Sequence, residues 1–239
     1  MLDTILFDLD GTLAPFAQDE FIRVYFKALV SRVTPMGYKP DDMIDALWQG
    51  VSAMTGNDGS RTNRQIFWES FTQKLGIQAL ALENILNDFY VREFDSVRTV
   101  LRETADRGPL LRGLRERGYG LVLATNPIFP AVAVETRLGW VGLRPEDFDY
   151  VTTYENSRRS KPNPDYYRDI LSHIGRQGEN CLMAGNNPVD DAAALQAGIS
   201  VYLVTDYMEN PDGVPIEDYP HGSFRDLAAR LEALPALGG

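Results

Sequence analysis

Two carboxylates, Asp8 and Asp10, directly follow a short apolar segment at residues 4–7. Acids separated by one residue suit a reaction in which one carboxylate attacks and the other moves a proton. Two negative charges this close repel each other, so they also need a cation or a lysine nearby. The plainer alternative is that Asp8 and Asp10 only end a strand.

Further polar residues follow later apolar segments in the same way. They are Thr125, Asn126, Lys161, Asn186, Asp190 and Asp191. Each has an ordinary interpretation on its own: a turn or helix cap, a solvated surface lysine, or acids in the first turn of a helix. Their repeated position after apolar segments instead favours one common site.

The elements that must position these residues alternate between strand and helix. Continuous apolar runs predict buried parallel strands at 4–7, 120–124, 150–153, 181–184 and 200–204. Helices are predicted from Pro109 to Arg117, from Pro130, from Asn163-Pro164, and from Asn187-Pro188 to Gly198. This order predicts an α/β fold, a Rossmann-like three-layer core around a parallel sheet, with ligands bound beyond the carboxyl ends of the strands.

Residues 16–105 interrupt the alternation and show only helical periodicity, as in the stripe Phe21, Tyr25 and Leu29. We therefore predict a small all-helical cap domain, 16–105, inserted after strand 1 into a catalytic core of 1–15 plus 106–239. Candidate substrate contacts in this segment are Arg23, Lys27, Asn57, Arg61 and Arg64. The alternative is that these residues are solvated.

Composition narrows the function classes. The chain has 239 residues, a net charge of -11 and one cysteine, and no apolar stretch long enough to cross a membrane. An acidic surface repels nucleic acid and anionic lipid, so neither is expected as a partner. A single cysteine and the absence of a recognisable signal sequence predict a cytoplasmic protein. A phosphorylated substrate would need local positive charge, which Lys161 could supply.

Four segments together resemble the haloacid dehalogenase superfamily in its phosphatase branch, phosphoglycolate phosphatases included. They are "DLDGT" at 8–12, "LVLATN" at 121–126, "SKPNPDYY" at 160–167 and "MAGNNPVDD" at 183–191. The helical insertion resembles the cap that this family carries after its first motif. The resemblance implies a Mg²⁺-dependent phosphate monoester hydrolase that acts on a small phosphorylated metabolite.

The resemblance also implies residue roles. Asp8 would attack phosphorus to form an aspartyl phosphate, and Asp10 would act as general acid and then as general base. The implied phosphate-binding residues are Asp8, Gly11, Thr12, Thr125, Asn126 and Lys161, and the implied metal ligands are Asp8, Asp10, Asn186, Asp190 and Asp191. Lys161 would neutralise the phosphate and Asp8 together.

One residue departs from the family pattern, which usually has Asp at the position of Asn186. Asn keeps an oxygen ligand but loses a charge, so the metal site could be weaker. A catalytically weak or inactive phosphate-binding or interaction protein, and a sugar phosphomutase, therefore remain as alternatives. Dehalogenases of this superfamily lack an acid at the position of Asp10, which favours phosphate esters. The sequence leaves the substrate and the oligomeric state open.

Overall fold

The computed structural model describes residues 1–238. All strand pairs are parallel, in one sheet of order β3-β2-β1-β4-β5-β6. The strands are β1 Thr4–Phe7, β2 Gly120–Leu123, β3 Tyr150–Val151, β4 Cys181–Gly185, β5 Ser200–Val204 and β6 His221–Gly222. The helices are α1 Gln18–Val33, α2 Pro40–Thr55, α3 Asn63–Leu75, α4 Leu82–Arg92, α5 Gly108–Glu116, α6 Ala131–Gly139, α7 Pro164–Ile174 and α8 Phe224–Glu232.

Alternate residues of β1 divide between two apolar clusters, as expected when both faces of a sheet are covered. Ile5 and Phe7 belong to one cluster, which includes buried leucines of α5 and α8. Leu6 belongs to the other, which includes buried side chains of α7. The predicted three-layer α/β core is confirmed, although β3 is shorter than predicted and β6 was not predicted.

The register of the three central strands brings their polar extensions together. Phe7, the last residue of β1, pairs with Leu123 of β2 and with Ala184 of β4. The next residues along each strand therefore emerge at the same edge of the sheet. This places Asp8 between the segment leading to Thr125 and the segment leading to Asn186.

Helices α1–α4 and a following 3-10 helix, Phe94–Val100, fill the segment between β1 and α5. Their buried aromatic side chains belong to the same apolar cluster as Ile5 and Phe7. The boundaries 16–105 for an inserted cap domain remain a prediction. None of the helices within residues 1–238 combines the length and the apolarity that crossing a membrane requires.

The helix predicted from Asn187-Pro188 is wrong. Residues 188–191 form turns, and a 3-10 helix, Ala192–Ala197, follows before Gly198. The Asn187 side chain accepts hydrogen bonds from the backbone N–H groups of Val189 and Asp190. Such local bonds stabilise a turn in place of a first helical turn.

Candidate active site

A buried lysine joins two carboxylates at the carboxyl edge of the sheet. Lys161 Nζ lies 2.8 Å from Asp8 Oδ1 and 2.6 Å from Asp191 Oδ1. Burial raises the pKa of Asp8 to about 7, although Lys161 lowers it. Burial alone would lower the pKa of Lys161, but Asp191 and Asp8 raise it well above the ordinary value. Lys161 therefore stays charged and favours the ionised form of Asp8.

Asp191 is almost completely buried and uses both carboxylate oxygens within the protein. Its Oδ1 accepts from Lys161, and its Oδ2 accepts from the backbone N–H of Asn187 at 2.9 Å. Gly185 makes room for this carboxylate, because a Cβ there would lie 2.1 Å from Asp191 Oδ2. These contacts suit a residue that positions Lys161.

Asp10 forms an ion pair with the completely buried Arg137 through its Oδ2. The Arg137 guanidinium also lies over the Phe129 ring, 4.3 Å from its centroid. Within residues 1–238, Asp10 Oδ1 is buried and has no hydrogen-bond partner. Burial raises the pKa of Asp10, while Arg137 lowers it. Oδ1 is therefore the oxygen that could carry a proton and donate it.

A small cavity of about 60 Å³ lies between these groups. This volume is several times the ~10–15 Å³ that one water needs, so the cavity has room for a small anion together with a metal ion or a water. The predicted residues that line it are Asp8, Asp10, Thr125, Asn126, Lys161, Asn186, Asp190 and Asp191. Asn126 Oδ1 is buried without a partner among the described residues, so it can accept a hydrogen bond from a bound species.

Gly11 and Thr12, two of the predicted phosphate-binding residues, are not among the residues that line this cavity. Gly11 has a φ of 74°, and a Cβ there would lie 2.1 Å from Asn186 Nδ2 and 3.0 Å from the Tyr207 carbonyl. Glycine is therefore required both by the backbone and by the close approach of Asn186. Thr12 is buried, and its hydroxyl has no partner in the described part of the chain.

Asn186 donates a hydrogen bond from Nδ2 to the Tyr207 carbonyl at 2.6 Å. An aspartate could not donate this bond, so the local structure suits the amide. The amide oxygen is left as the atom that could bind a hard cation. The departure from the family pattern therefore has a structural partner in Tyr207.

The oxygen donors around the cavity fit Mg²⁺ chemically. Burial raises the pKa of Asp190 to about 6 and raises the pKa of Glu209, which also lines the cavity. A bound cation would favour the ionised form of both acids. No set of three or more His, Cys, Asp and Glu side chains within residues 1–238 is arranged to hold a metal alone. A cation would therefore also need the amide oxygen of Asn186, backbone carbonyls or water.

Asn63 connects the helical segment to two loops of the site. It is completely buried, and its Nδ2 donates to Pro127 O and to Ser160 Oγ, each at 3.0 Å. Asn57, a predicted substrate contact, donates to Asn63 Oδ1 at 2.8 Å. The structure therefore gives Asn57 a positioning role behind the loops that carry Asn126 and Lys161.

The other predicted substrate contacts are mostly remote from the cavity. Arg23 is exposed near Glu20, Lys27 is exposed, and Arg61 pairs with Glu69 at 2.6 Å. Arg64 instead lines a second, larger cavity between the helical segment and the loops that follow β2 and β3. Sequence reasoning could not choose among these cations because each lies on a polar helix face or loop.

Among the charged residues of the site, the sequence prediction did not include Arg137 and Glu209. Arg137 is three residues after Val134 on the buried face of α6, and a charged residue on an apolar helix face is a usable signal. Glu209 follows β5 closely. The search for polar residues after the fourth strand would have found Glu209 if it had also been made after the fifth strand.

The chain matches the family described as haloacid dehalogenase-like hydrolase over residues 2–198. It is 25% identical over 205 residues to the pyrophosphatase PpaX of Bacillus cereus, and this alignment covers 85% of the present chain and 83% of that protein. This family match bears out the resemblance inferred from the four sequence motifs.

Solved structures share the fold at low sequence identity. The HAD phosphatase from Thermococcus onnurineus is 20% identical with a TM-score of 0.59, over 99% of this chain and 100% of that one. The 2-haloacid dehalogenase from Pseudomonas syringae pv. Tomato DC3000 is 18% identical with a TM-score of 0.60, over 98% and 99%. Because both kinds of enzyme share the fold, the reaction must be argued from the site.

Proposed function

The chain belongs to the haloacid dehalogenase-like hydrolases, and we propose that it hydrolyses phosphate monoesters with Asp8 as the nucleophile. The observation that carries this proposal is the buried Asp8 carboxylate, 2.8 Å from Lys161 at the edge of the small cavity. The presence of Asp10 favours a phosphate ester over a halide, because a leaving alkoxide needs a proton. The names of the pyrophosphatase relatives agree with phosphoryl chemistry.

In the proposed first step, an Asp8 oxygen attacks phosphorus and the bond to the leaving oxygen breaks. Lys161 stabilises the ionised nucleophile and the phosphoryl oxygens. Asp10 donates its proton from Oδ1 to the leaving oxygen, because Arg137 occupies Oδ2. The Thr125 hydroxyl and the Asn126 backbone N–H donate to the phosphoryl oxygens from the neighbouring strand end.

In the second step, water attacks the aspartyl phosphate. Asp10, now ionised, accepts a proton from this water, which regenerates Asp8 and releases inorganic phosphate. Asp8 and Asn186, with Asp190 or Glu209, would hold Mg²⁺. Asp10 could add only its backbone carbonyl, because Arg137 occupies Oδ2 and Oδ1 carries the proton. When bound, the cation would neutralise phosphoryl oxygens and favour the ionised form of Asp8.

The proposal is tested by phosphate release from p-nitrophenyl phosphate over a range of Mg²⁺ concentrations. We expect Asp8→Asn to lower kcat/KM by more than ~10³-fold. An exposed loop acid offers the matched control, and Asp212→Asn should retain native activity. Turnover that survives Asp8→Asn would reject the nucleophile assignment.

Two other outcomes would favour the remaining alternatives. Absence of turnover by the native protein at every Mg²⁺ concentration would favour a phosphate-binding or interaction protein. Transfer of the phosphoryl group to a second hydroxyl of a sugar phosphate, without release of phosphate, would favour a phosphomutase. Circular dichroism of each variant establishes that a loss of activity is not a loss of fold.

A further inference from the structure

A cavity of about 380 Å³ lies beside the catalytic cavity, between the helical segment and the loops that follow β2 and β3. Gln18, Ile128 and Phe129 line both cavities, so the two spaces adjoin at these side chains. The volume of the larger cavity is within the range of pockets that bind organic ligands. It is therefore placed to receive the part of a substrate that remains attached to the leaving oxygen.

Aromatic side chains dominate the wall of this larger cavity. Six of them are Tyr25, Phe26, Trp48, Phe67, Trp68 and Tyr90. The Tyr25 and Tyr90 hydroxyls lie 2.5 Å apart, and burial raises the pKa of both phenols. Both stay uncharged at neutral pH, so this side of the wall is neutral.

The charged groups of the wall are already paired or capped. Arg64, the cation among the described lining residues, donates from Nε to Glu83 Oε1 at 2.8 Å. Glu155 accepts from the backbone N–H of Ala131 at 3.1 Å. A second phosphate or a carboxylate on the substrate would therefore meet no uncompensated positive charge.

We propose that the cavity binds a ring-sized apolar group, so that the substrates are phosphate monoesters of bulky apolar alcohols. This inference rests on the proposed phosphatase activity and names its substrate class. Aromatic walls bind flat apolar groups by burial and by ring–ring contact. The Gln18 side chain at the junction has a buried oxygen without a partner among the described residues, and this oxygen can accept a hydrogen bond from the substrate or from water.

Pyrophosphate is not expected to be the preferred substrate, although pyrophosphatases are among the relatives. A pyrophosphate leaving group is small and highly charged, whereas the adjoining cavity is large and aromatic, and the cation among its described lining residues is already paired. Phosphoglycolate is also expected to be a poor substrate, because its carboxylate would have to compete with Glu83 for Arg64.

The test compares 2-(2-naphthyl)ethyl phosphate with ethyl phosphate in the presence of Mg²⁺. Both esters release primary alkoxides of similar basicity, so a difference in kcat/KM reports binding of the naphthyl group. Burial of about 100 Å² of apolar surface corresponds to a preference of roughly 50-fold for the naphthyl ester. Equal kcat/KM values, or a preference for pyrophosphate, would overturn the proposal.

A second pair of esters separates apolar binding from recognition of a cation, which aromatic walls can also perform. Phosphocholine and 3,3-dimethylbutyl phosphate have the same shape, but only phosphocholine carries a positive charge. Because choline is the more acidic alcohol and so the better leaving group, the comparison uses binding to the Asp8→Asn protein, measured by isothermal titration calorimetry. We expect the ester with the uncharged alkyl group to bind at least as tightly. Tighter binding of phosphocholine by more than about tenfold, the factor set by ~1.4 kcal/mol, would overturn the apolar assignment.

A substitution in the cavity wall tests whether the preference for the naphthyl ester arises in this cavity. Val51 lines the wall, so Val51→Trp should lower the ratio of kcat/KM for the naphthyl ester to that for ethyl phosphate by about tenfold. Val91, exposed on α4, supplies the matched control, and Val91→Trp should keep the native ratio. An unchanged ratio in a folded Val51→Trp protein would contradict the assignment.

Failure of the activity can be told apart from failure of the substrate class. If no ester is hydrolysed, isothermal titration calorimetry measures the binding of both esters of the first pair directly. Tighter binding of the naphthyl ester, lost in Val51→Trp, would uphold the apolar site and reject the phosphatase activity. Equal binding would reject the apolar site as well.

Discussion

Replacement of Arg137 by methionine tests the buried ion pair behind the proposed general acid. The guanidinium is completely buried, bonded to Asp10 Oδ2 and to the Ala133 carbonyl, and stacked over Phe129. Methionine retains much of the volume but not the charge. Removing one partner of a buried pair costs roughly 3–5 kcal/mol. We expect about 3 kcal/mol at pH 8, because the Asp10 side chain is 15% exposed and can take up a proton.

The loss should depend on pH, because Arg137 lowers the pKa of Asp10. Without Arg137 the folded state holds this proton to higher pH than the native protein does. Folding of the variant therefore becomes less favourable as pH rises above the ordinary pKa of an aspartate, and the loss should be smaller at pH 5 than at pH 8. Urea unfolding without Mg²⁺ at both values measures it.

Two controls isolate the charge interaction. Arg168 is an exposed arginine paired with Asp165, and Arg168→Met should cost less than about 1 kcal/mol. In an Asp10→Asn background, Arg137→Met should cost at least ~1 kcal/mol less than in the native protein. An equal loss in both backgrounds would refute the reasoning. The activity of Arg137→Met should fall mainly through kcat, since Asp10 loses its fixed position.

Three further predictions concern the same site. Asn186→Asp replaces the donor to Tyr207 by a carboxylate. Urea unfolding without Mg²⁺ should show that the unfolding free energy falls by about 1–3 kcal/mol. Mg²⁺ should then raise the unfolding free energy of the variant by more than that of the native protein, and equal increases would contradict this. Asp8 has its pKa raised from 3.8 to about 7, so the metal-free unfolding free energy should fall as pH rises between these values, by on the order of 3 kcal/mol. Asp8→Asn should remove this contribution; an unchanged pH profile would count against the shift. Asn63→Ala leaves Ser160 Oγ and the Pro127 carbonyl without their donor and should cost roughly 1–3 kcal/mol, whereas a loss below ~0.5 kcal/mol in urea unfolding would show that these bonds do not stabilise the loops.

Local sequence rules determined most of the fold. Apolar runs gave the five main strands, and Asn163-Pro164 and Gly175 marked the ends of α7, where the Asn163 side chain caps Asp165 N–H and Gly175 has a φ of 66°. These rules work because caps and turns depend on neighbouring backbone groups. The predicted site residues could be grouped because parallel strands end at one edge.

The same local rules failed where side chains compete for the backbone. At Asn187-Pro188 the sequence has the signal for a helix start, yet the chain forms turns there. The Asp191 carboxylate accepts from Lys161, which is 30 positions away, and from the backbone N–H of Asn187. A distant partner therefore took part in deciding the local conformation.

The sequence by itself determined that Asp8, Asp10, Thr125 and Lys161 would follow strands of one parallel sheet. Continuous apolar runs indicate where the buried strands lie, and parallel strands have their carboxyl ends at one edge of the sheet. Only the tertiary structure decided which charges meet. Asp10 pairs with Arg137, 127 positions away, and Asn63 reaches Ser160, 97 positions away. The aromatic cavity is equally a product of packing, since burial and Coulomb attraction depend on distance in space rather than along the chain.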